Sequence, residues 1–179
     1  HMVSAFATEC GLVLGQEKVS DKSNEISAIP ELLDSLLIRG YLVTIDAMGC
    51  QSEIAAKIRE QKADYLLAVK GNQPSLQVTL QERFGLAQRE ALEQAGQYAR
   101  FSEQSHGRFV WQEFWVATNA GEVDAERWSG CKMLGMVESL RKVGGKESAP
   151  ERRYYISSRP LPAADFAKAV RAHWGIENG

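Results

Sequence analysis

Hydrophobic and polar positions recur along this chain with a period that changes several times, and each change marks an element. Val3 to Thr8 and Leu12 to Val19 read as extended segments around a Cys10-Gly11 turn, the pattern of an antiparallel hairpin. Ser20 to Ile29 is polar and reads as a loop. Pro30 suits the first turn of a helix whose apolar face is Leu32, Leu33, Leu36 and Leu37, with Gly40 as its stop. Tyr41 to Ile45 is a continuous apolar run, as expected of a buried strand. Cys50 to Gln61 repeats apolar residues at helical spacing, with Ile54, Ala55 and Ile58 inward, and Tyr65 to Val69 is a second buried strand. Strand, helix and strand within residues 41–69 predict a right-handed crossover joining parallel strands. Gly71 closes the second strand, and Pro74 opens a helix with Leu76, Leu80 and Phe84 on one face.

After Phe84 the pattern turns β-rich. Residues 85–98 are polar and helical in composition. Tyr98 to Ser102 and Phe109 to Thr118 read as strands around a Ser105-His106-Gly107 turn. Lys132 to Leu140 and Arg153 to Ser157 read as two more, separated by Val143-Gly144-Gly145. Pro162 starts a last helix with Phe166, Val170 and Trp174 along its buried side. The layout is a mixed α/β core, interrupted by strands and closed by a helix.

Composition narrows the function classes only slightly. The 179 residues, 44% hydrophobic and 25% charged, are ordinary for a globular protein. No apolar run approaches the roughly 20 residues that cross a bilayer, and no signal peptide is evident, so a cytoplasmic protein with no membrane partner is expected. Cys10, Cys50 and Cys131 form no CxxC pair and read as reduced thiols. His1, His106 and His173 have no ligand spacing for structural zinc. The net charge of −2 does not advertise nucleic acid, but the tail is basic: Arg141, Lys142, Lys146, Arg152, Arg153, Arg159, Lys168 and Arg171. On composition alone such residues read first as a solvated face.

Two short stretches carry the chemistry. Thr44 to Gln51 (TIDAMGCQ) delivers one carboxylate, Asp46, from an apolar strand into a small-residue turn, at the strand end where open α/β sheets place ligands. Taken alone, Asp46 reads first as a cap for that turn. Arg171 to Asn178 (RAHWGIEN) puts Glu177 on a helix four residues after His173, hence on the same helical face. Alone, Glu177 is an ordinary terminal glutamate, and His173–Glu177 an ordinary surface contact. Lys70-Gly71-Asn72-Gln73 joins a strand to a helix and could present amides and a lysine to phosphate, although an ordinary turn has the same composition.

Together with VSAFATECGLVLGQEKVSDKSNEI, ADYLLAVKGNQ and YYISS, these stretches resemble the DDE-type insertion-sequence transposases, and among them the H-repeat-associated group, from Val3 to Asn178. The resemblance implies a ribonuclease-H-like fold: a five-stranded mixed sheet with flanking helices. It also implies a truncated catalytic domain over residues 3–179, with a β-strand insertion at about 98–157. Asp46 matches the second acidic residue of the family's Asp-Asp-Glu triad and Glu177 the third, in Trp174-Gly175-Ile176-Glu177. The first aspartate belongs on a first core strand upstream of Val3, so this chain is expected to lack that strand and to be inactive by itself. Many relatives have Tyr and Arg before the glutamate, where Val170 and His173 stand here, and a Lys that would fall beyond Gly179.

By the same resemblance the whole protein is a DNA transposase that cleaves a phosphodiester and joins the freed 3′-hydroxyl to target DNA. Asp46 and Glu177 are then catalytic and metal-binding residues for two Mg²⁺ or Mn²⁺ ions, with no small-molecule cofactor. Lys70, Arg108, Arg171 and His173 are DNA-contact candidates. DNA ends and target DNA are the implied partners, in a homodimer or higher assembly associated with the nucleoid when acting. A metal-dependent nuclease that does not transpose, and a DNA-binding or assembly module without chemistry, are the competing readings.

Overall fold

The computed structural model describes residues 2–7, 12–18 and 25–177, with side-chain surroundings from Ile26 to Trp174. Strands β1 (Met2–Ala7) and β2 (Leu12–Lys18) pair antiparallel as a separate two-stranded sheet. The Cys10-Gly11 turn lies outside the described residues. Helix α1 (Glu25–Asp34) packs against both strands. It begins earlier than Pro30, within the stretch expected to be a loop. Ala28, Leu32 and Leu33 are buried on its inner face, and that burial outweighs the hydrogen bond that Pro30 cannot donate inside the helix. The helix also ends before Leu37, which is 98% exposed rather than part of the apolar face.

The main sheet takes its remaining elements in chain order. Strand β3 (Leu42–Ile45) leads through a single 3-10 turn (Ala47–Gly49) into α2 (Ser52–Glu60) and β4 (Asp64–Val69). Helices α3 (Pro74–Arg83) and α4 (Leu86–Gln94) follow. The β-rich part is β5 (Tyr98–Ser105), β6 (Arg108–Ala117), β7 (Met133–Val143), the short β8 (Lys146–Glu147) and β9 (Glu151–Ser157). Helix α5 (Ala163–Glu177) ends the fold. The strand order is β3-β4-β9-β7-β6-β5, with β8 hydrogen-bonded to β7. β3 and β4 run parallel, as the crossover pattern predicts, and the pairs that follow among the described residues are antiparallel. Residues 98–157 therefore extend the same sheet that holds β3.

Alternation along these strands sorts the core into two layers. Tyr65, Leu67, Trp115, Ala117, Leu134, Met136 and Ile156 face α1 to α4, and meet Leu33, Ile54, Ile58, Leu80 and Phe84 there. Their neighbours Leu66, Phe114, Val116, Met133, Val137 and Tyr155 face the other way, onto Phe166, Ala167 and Val170 of α5. Gly135 of β7 is the point of closest approach: a Cβ there would stand 2.5 Å from Phe166 Cζ. The Phe166 ring packs edge-on to Phe114 and Tyr155, with centroids 6.0 and 5.4 Å away.

β3 is half-buried throughout, not the fully buried strand that its apolar run predicts, because it has β4 on one side and is an edge on the other. The second edge is β5. In a flat sheet five inter-strand steps would separate the two edges by about 24 Å. Yet Thr44 of β3 and Phe101 of β5 touch His173 and Arg171, only two residues apart on α5. The sheet therefore curls around α5 and brings both edges to one helix.

Candidate active site

Asp46 leaves the sheet at the carboxyl end of β3 and is exposed. It caps the 3-10 turn: the Gly49 N–H donates to its Oδ1 at 3.4 Å and to its carbonyl at 3.1 Å. The capping role and a ligand role are compatible here, since one long hydrogen bond leaves most of the carboxylate's lone pairs available. A side chain at Gly49 would collide with Ile45 Cγ2, which explains the glycine at the end of this turn.

The turn is held from β4. Asn72 Nδ2 donates to the Ala47 carbonyl at 2.7 Å, and Gln73 Nε2 donates to the Cys50 carbonyl at 2.9 Å. Gln73 Oε1 in turn accepts from Arg127 Nη2 at 2.9 Å. The Lys70–Gln73 segment thus clamps the backbone behind Asp46 with its amide side chains. A polar Asn-Gln pair between a buried strand and Pro74 was the available signal for this, and reading the segment only for amides and a lysine misses it. Lys70 itself is exposed at the end of β4, beside the clamp.

Helix α5 reaches the same place from the other edge. Thr44 Oγ1 and His173 Nδ1 share a hydrogen bond of 3.1 Å, both groups being part-buried. This fixes α5 to β3 two residues before Asp46. Glu177 lies one turn further along the helix, and its side chain falls outside the described ones. Trp174 packs under Arg153, whose guanidinium carbon is 4.7 Å from the ring centre. Arg171 lies over Phe101 at 3.2 Å.

Of the six predicted site residues, the fold brings Asp46 and His173 to one end of β3, with Lys70 immediately after the adjoining strand. Arg108 is elsewhere. The register row Ile45–Leu67–Ile156–Leu134–Ala117 marks the level of the site across the sheet. Arg108 begins the strand that Ala117 ends, about 30 Å away along β6 at 3.3 Å per residue.

Asp46 offers carboxylate oxygens, the ligand type a hard cation takes, while Nδ1 of His173 is engaged by Thr44. Among the described residues no three His, Cys, Asp or Glu side chains converge. Cys50, immediately behind the site, is fully buried, and burial pushes its thiol up to about 12; it is a packing residue rather than a nucleophile. Among the described residues no helix is long and apolar enough to cross a membrane.

The whole chain, residues 1–179, matches the family described as Transposase DDE domain. It is 48% identical over 182 residues to "Putative transposase YncI" of Escherichia coli O157:H7, covering 99% of this chain and 46% of that protein. It is 46% identical over 183 residues to "H repeat-associated putative transposase YhhI" of Escherichia coli strain K12, covering 99% of this chain and 48% of that protein. A third relative, "H repeat-associated putative transposase YbfD" of the same strain, is 52% identical over 108 residues, 60% of this chain and 42% of that protein. The chain spans about half the length of the curated relatives it matches. The curled mixed sheet with its flanking helices is the ribonuclease-H-like arrangement that such a family implies.

Proposed function

Because the chain belongs to the DDE-domain transposase family, we propose that it forms the part of a DNA transposase that carries two of three catalytic carboxylates, Asp46 and Glu177. The whole protein cleaves a phosphodiester at the ends of a mobile element and transfers the freed 3′-hydroxyl to target DNA. The observation that carries this reading is the Thr44–His173 hydrogen bond, which ties the helix bearing Glu177 to the strand bearing Asp46.

Asp46 and Glu177 would hold divalent cations, Mg²⁺ or Mn²⁺, which supply an activated water and charge stabilisation for the departing 3′-oxygen. The remaining residues position these two. The Asn72–Gln73 clamp fixes the turn below Asp46, and Thr44 fixes the pitch at which α5 meets β3. Small displacements matter here, because in-line attack tolerates little misalignment. Lys70, exposed after β4, is the nearby cation available to phosphate oxygens, while Arg171 lies over Phe101 on the other side of α5 from His173.

The test uses the protein extended to the full length of its relatives, with element-end DNA and Mn²⁺. Asp46→Asn and Glu177→Gln keep size and hydrogen bonding but remove charge. Each lowers cleavage by orders of magnitude while DNA affinity, dominated by Lys and Arg contacts to phosphate, changes little. Unchanged cleavage in Asp46→Asn refutes the ligand role. Cleavage without strand-transfer products identifies a nuclease instead, and DNA binding with no cleavage under any metal identifies a binding module.

A further inference from the structure

Between the edge strand β5 and α5 runs an open groove of about 470 Å³, lined by Arg100, Phe101, Ala164, Ala167, Lys168 and Arg171. Among the described residues no carboxylate lines it. Arg59, Arg83, Arg89, Arg152, Arg153, Arg159 and Lys57 each have a carboxylate partner. Among the described residues Arg100, Lys168 and Arg171 have none. Arg100 stands opposite Glu113 in the strand register, but Glu113 accepts the hydroxyl of Tyr98. The groove is therefore a cationic channel with an apolar floor of alanines and one ring.

Arg171 is organised for use. Its guanidinium carbon sits 3.2 Å from the Phe101 ring centre, and a guanidinium stacked on an aromatic face keeps its N–H fork free at the edge. Lys168 precedes it by three residues, on the same helical face and about 4.5 Å back along the axis. A nucleic-acid strand carries one phosphate per roughly 3.4 Å of axis, so two flexible side chains at this spacing can reach successive phosphates. The groove and the Thr44–His173 contact flank the same stretch of α5 from opposite sides, because residues two apart on a helix do not share a face.

We infer that the β5–α5 groove seats the phosphodiester backbone of a DNA strand leading to or from the Asp46 site, with Arg171, stacked on Phe101, as the bidentate anchor and Lys168 as the next contact. Partner and direction rest on the DNA-transposase reading; the groove's residues do not enter the proposed metal site.

The experiment titrates the chain into a labelled 20-nucleotide single strand and the corresponding duplex at several salt concentrations. The double variant Lys168→Ala/Arg171→Ala should lower the slope of log affinity against log salt by roughly 1.4–1.8, as loss of two phosphate contacts requires, and weaken binding at least about tenfold at low salt. Phe101→Leu should weaken binding about threefold while leaving most of the slope, because it frees Arg171 without removing its charge. Lys57→Ala, whose ammonium is paired with Asp34, should change neither. Unfolding midpoints of all variants are measured alongside, so that a loss through misfolding is separated from a loss of contact. Wild-type binding with an unchanged slope in the double variant overturns the groove and leaves the transposase reading standing. Absence of salt-dependent binding by the wild type also overturns it, and cleavage by the longer protein then decides the wider reading separately. Equal affinity for a poly-glutamate of matched length assigns the groove to an acidic polypeptide instead.

Discussion

Replacing Gln73 by alanine tests whether the loop after β4 really holds the turn that presents Asp46. Gln73 is only 7% exposed and Cys50 is fully buried, so the substitution leaves the Cys50 carbonyl without its 2.9 Å donor and with little access to water. An unsatisfied buried carbonyl costs about 1–3 kcal/mol. Arg127 loses its acceptor too, but it is exposed and can rehydrate, so that part adds only about 0.5–1 kcal/mol. Together these come to about 1.5–4 kcal/mol. With a urea dependence of about 2.5 kcal/mol per M, the unfolding midpoint of the chain falls by roughly 0.6–1.6 M. Asn72 makes a shorter bond, 2.7 Å to the Ala47 carbonyl, but is itself exposed, so Asn72→Ala costs only about 0.5–1.5 kcal/mol. Equilibrium urea unfolding, followed by circular dichroism, reads both. A shift below about 0.3 M for Gln73→Ala, or a larger effect for Asn72→Ala, refutes the argument that burial of the bond sets its worth.

Three further outcomes follow from the packing and charge of the fold. Gly135→Ala drives a methyl into Phe166, a ring that is fully buried between Phe114 and Tyr155, and should destabilise by about 1–3 kcal/mol; a variant as stable as the wild type would show that α5 can lift off the sheet. Burial alone would raise the Asp64 carboxyl, but hydrogen bonds from Ser158 and Arg159 and the charges of Arg159 and Arg59 outweigh it and hold the group below its ordinary value of 3.8. Its stabilisation is therefore present above that value and lost as pH falls through the lower folded one, so stability measured from pH 5 downward should fall less steeply in Asp64→Asn than in the wild type; parallel curves contradict this. Finally, if Asp46 and Glu177 are two of three required carboxylates, as proposed, the 179-residue chain incubated with Mn²⁺ and supercoiled plasmid should give no nicking above a buffer control; nicking that copurifies with the protein and vanishes in Asp46→Ala overturns that expectation.

The strands and helices whose burial is one-sided were readable from the chain itself. Leu76, Leu80 and Phe84, or Ile54 and Ile58, recur at helical spacing because one face of each helix meets the sheet, and that face is where they lie. The parallel β3–β4 pair followed from a short apolar strand, a helix and another strand in close succession. Pro30 misled because local rules place proline at a helix start, whereas contacts of Ala28, Leu32 and Leu33 with residues distant in sequence hold a longer helix together. The proposal that Asp46 and Glu177 act together came from family likeness, not from spacing, since they are 131 positions apart.

What the sequence by itself determined was the inventory: the order of elements, which face of most of them is apolar, and which residues are candidates for chemistry. Whether those residues meet was decided by the tertiary structure. Curling of the sheet brings β3 and β5 to the same stretch of α5, so that His173 bonds Thr44 while Arg171 covers Phe101. The same geometry leaves Arg108 at the far end of β6. It also turns Asn72 and Gln73 from loop residues into a clamp on the Asp46 turn, 22 or more positions earlier in the chain. No local pattern encodes these pairings, because a hydrogen bond between distant segments depends on strand register and sheet curvature, which arise only when all the strands and α5 pack together.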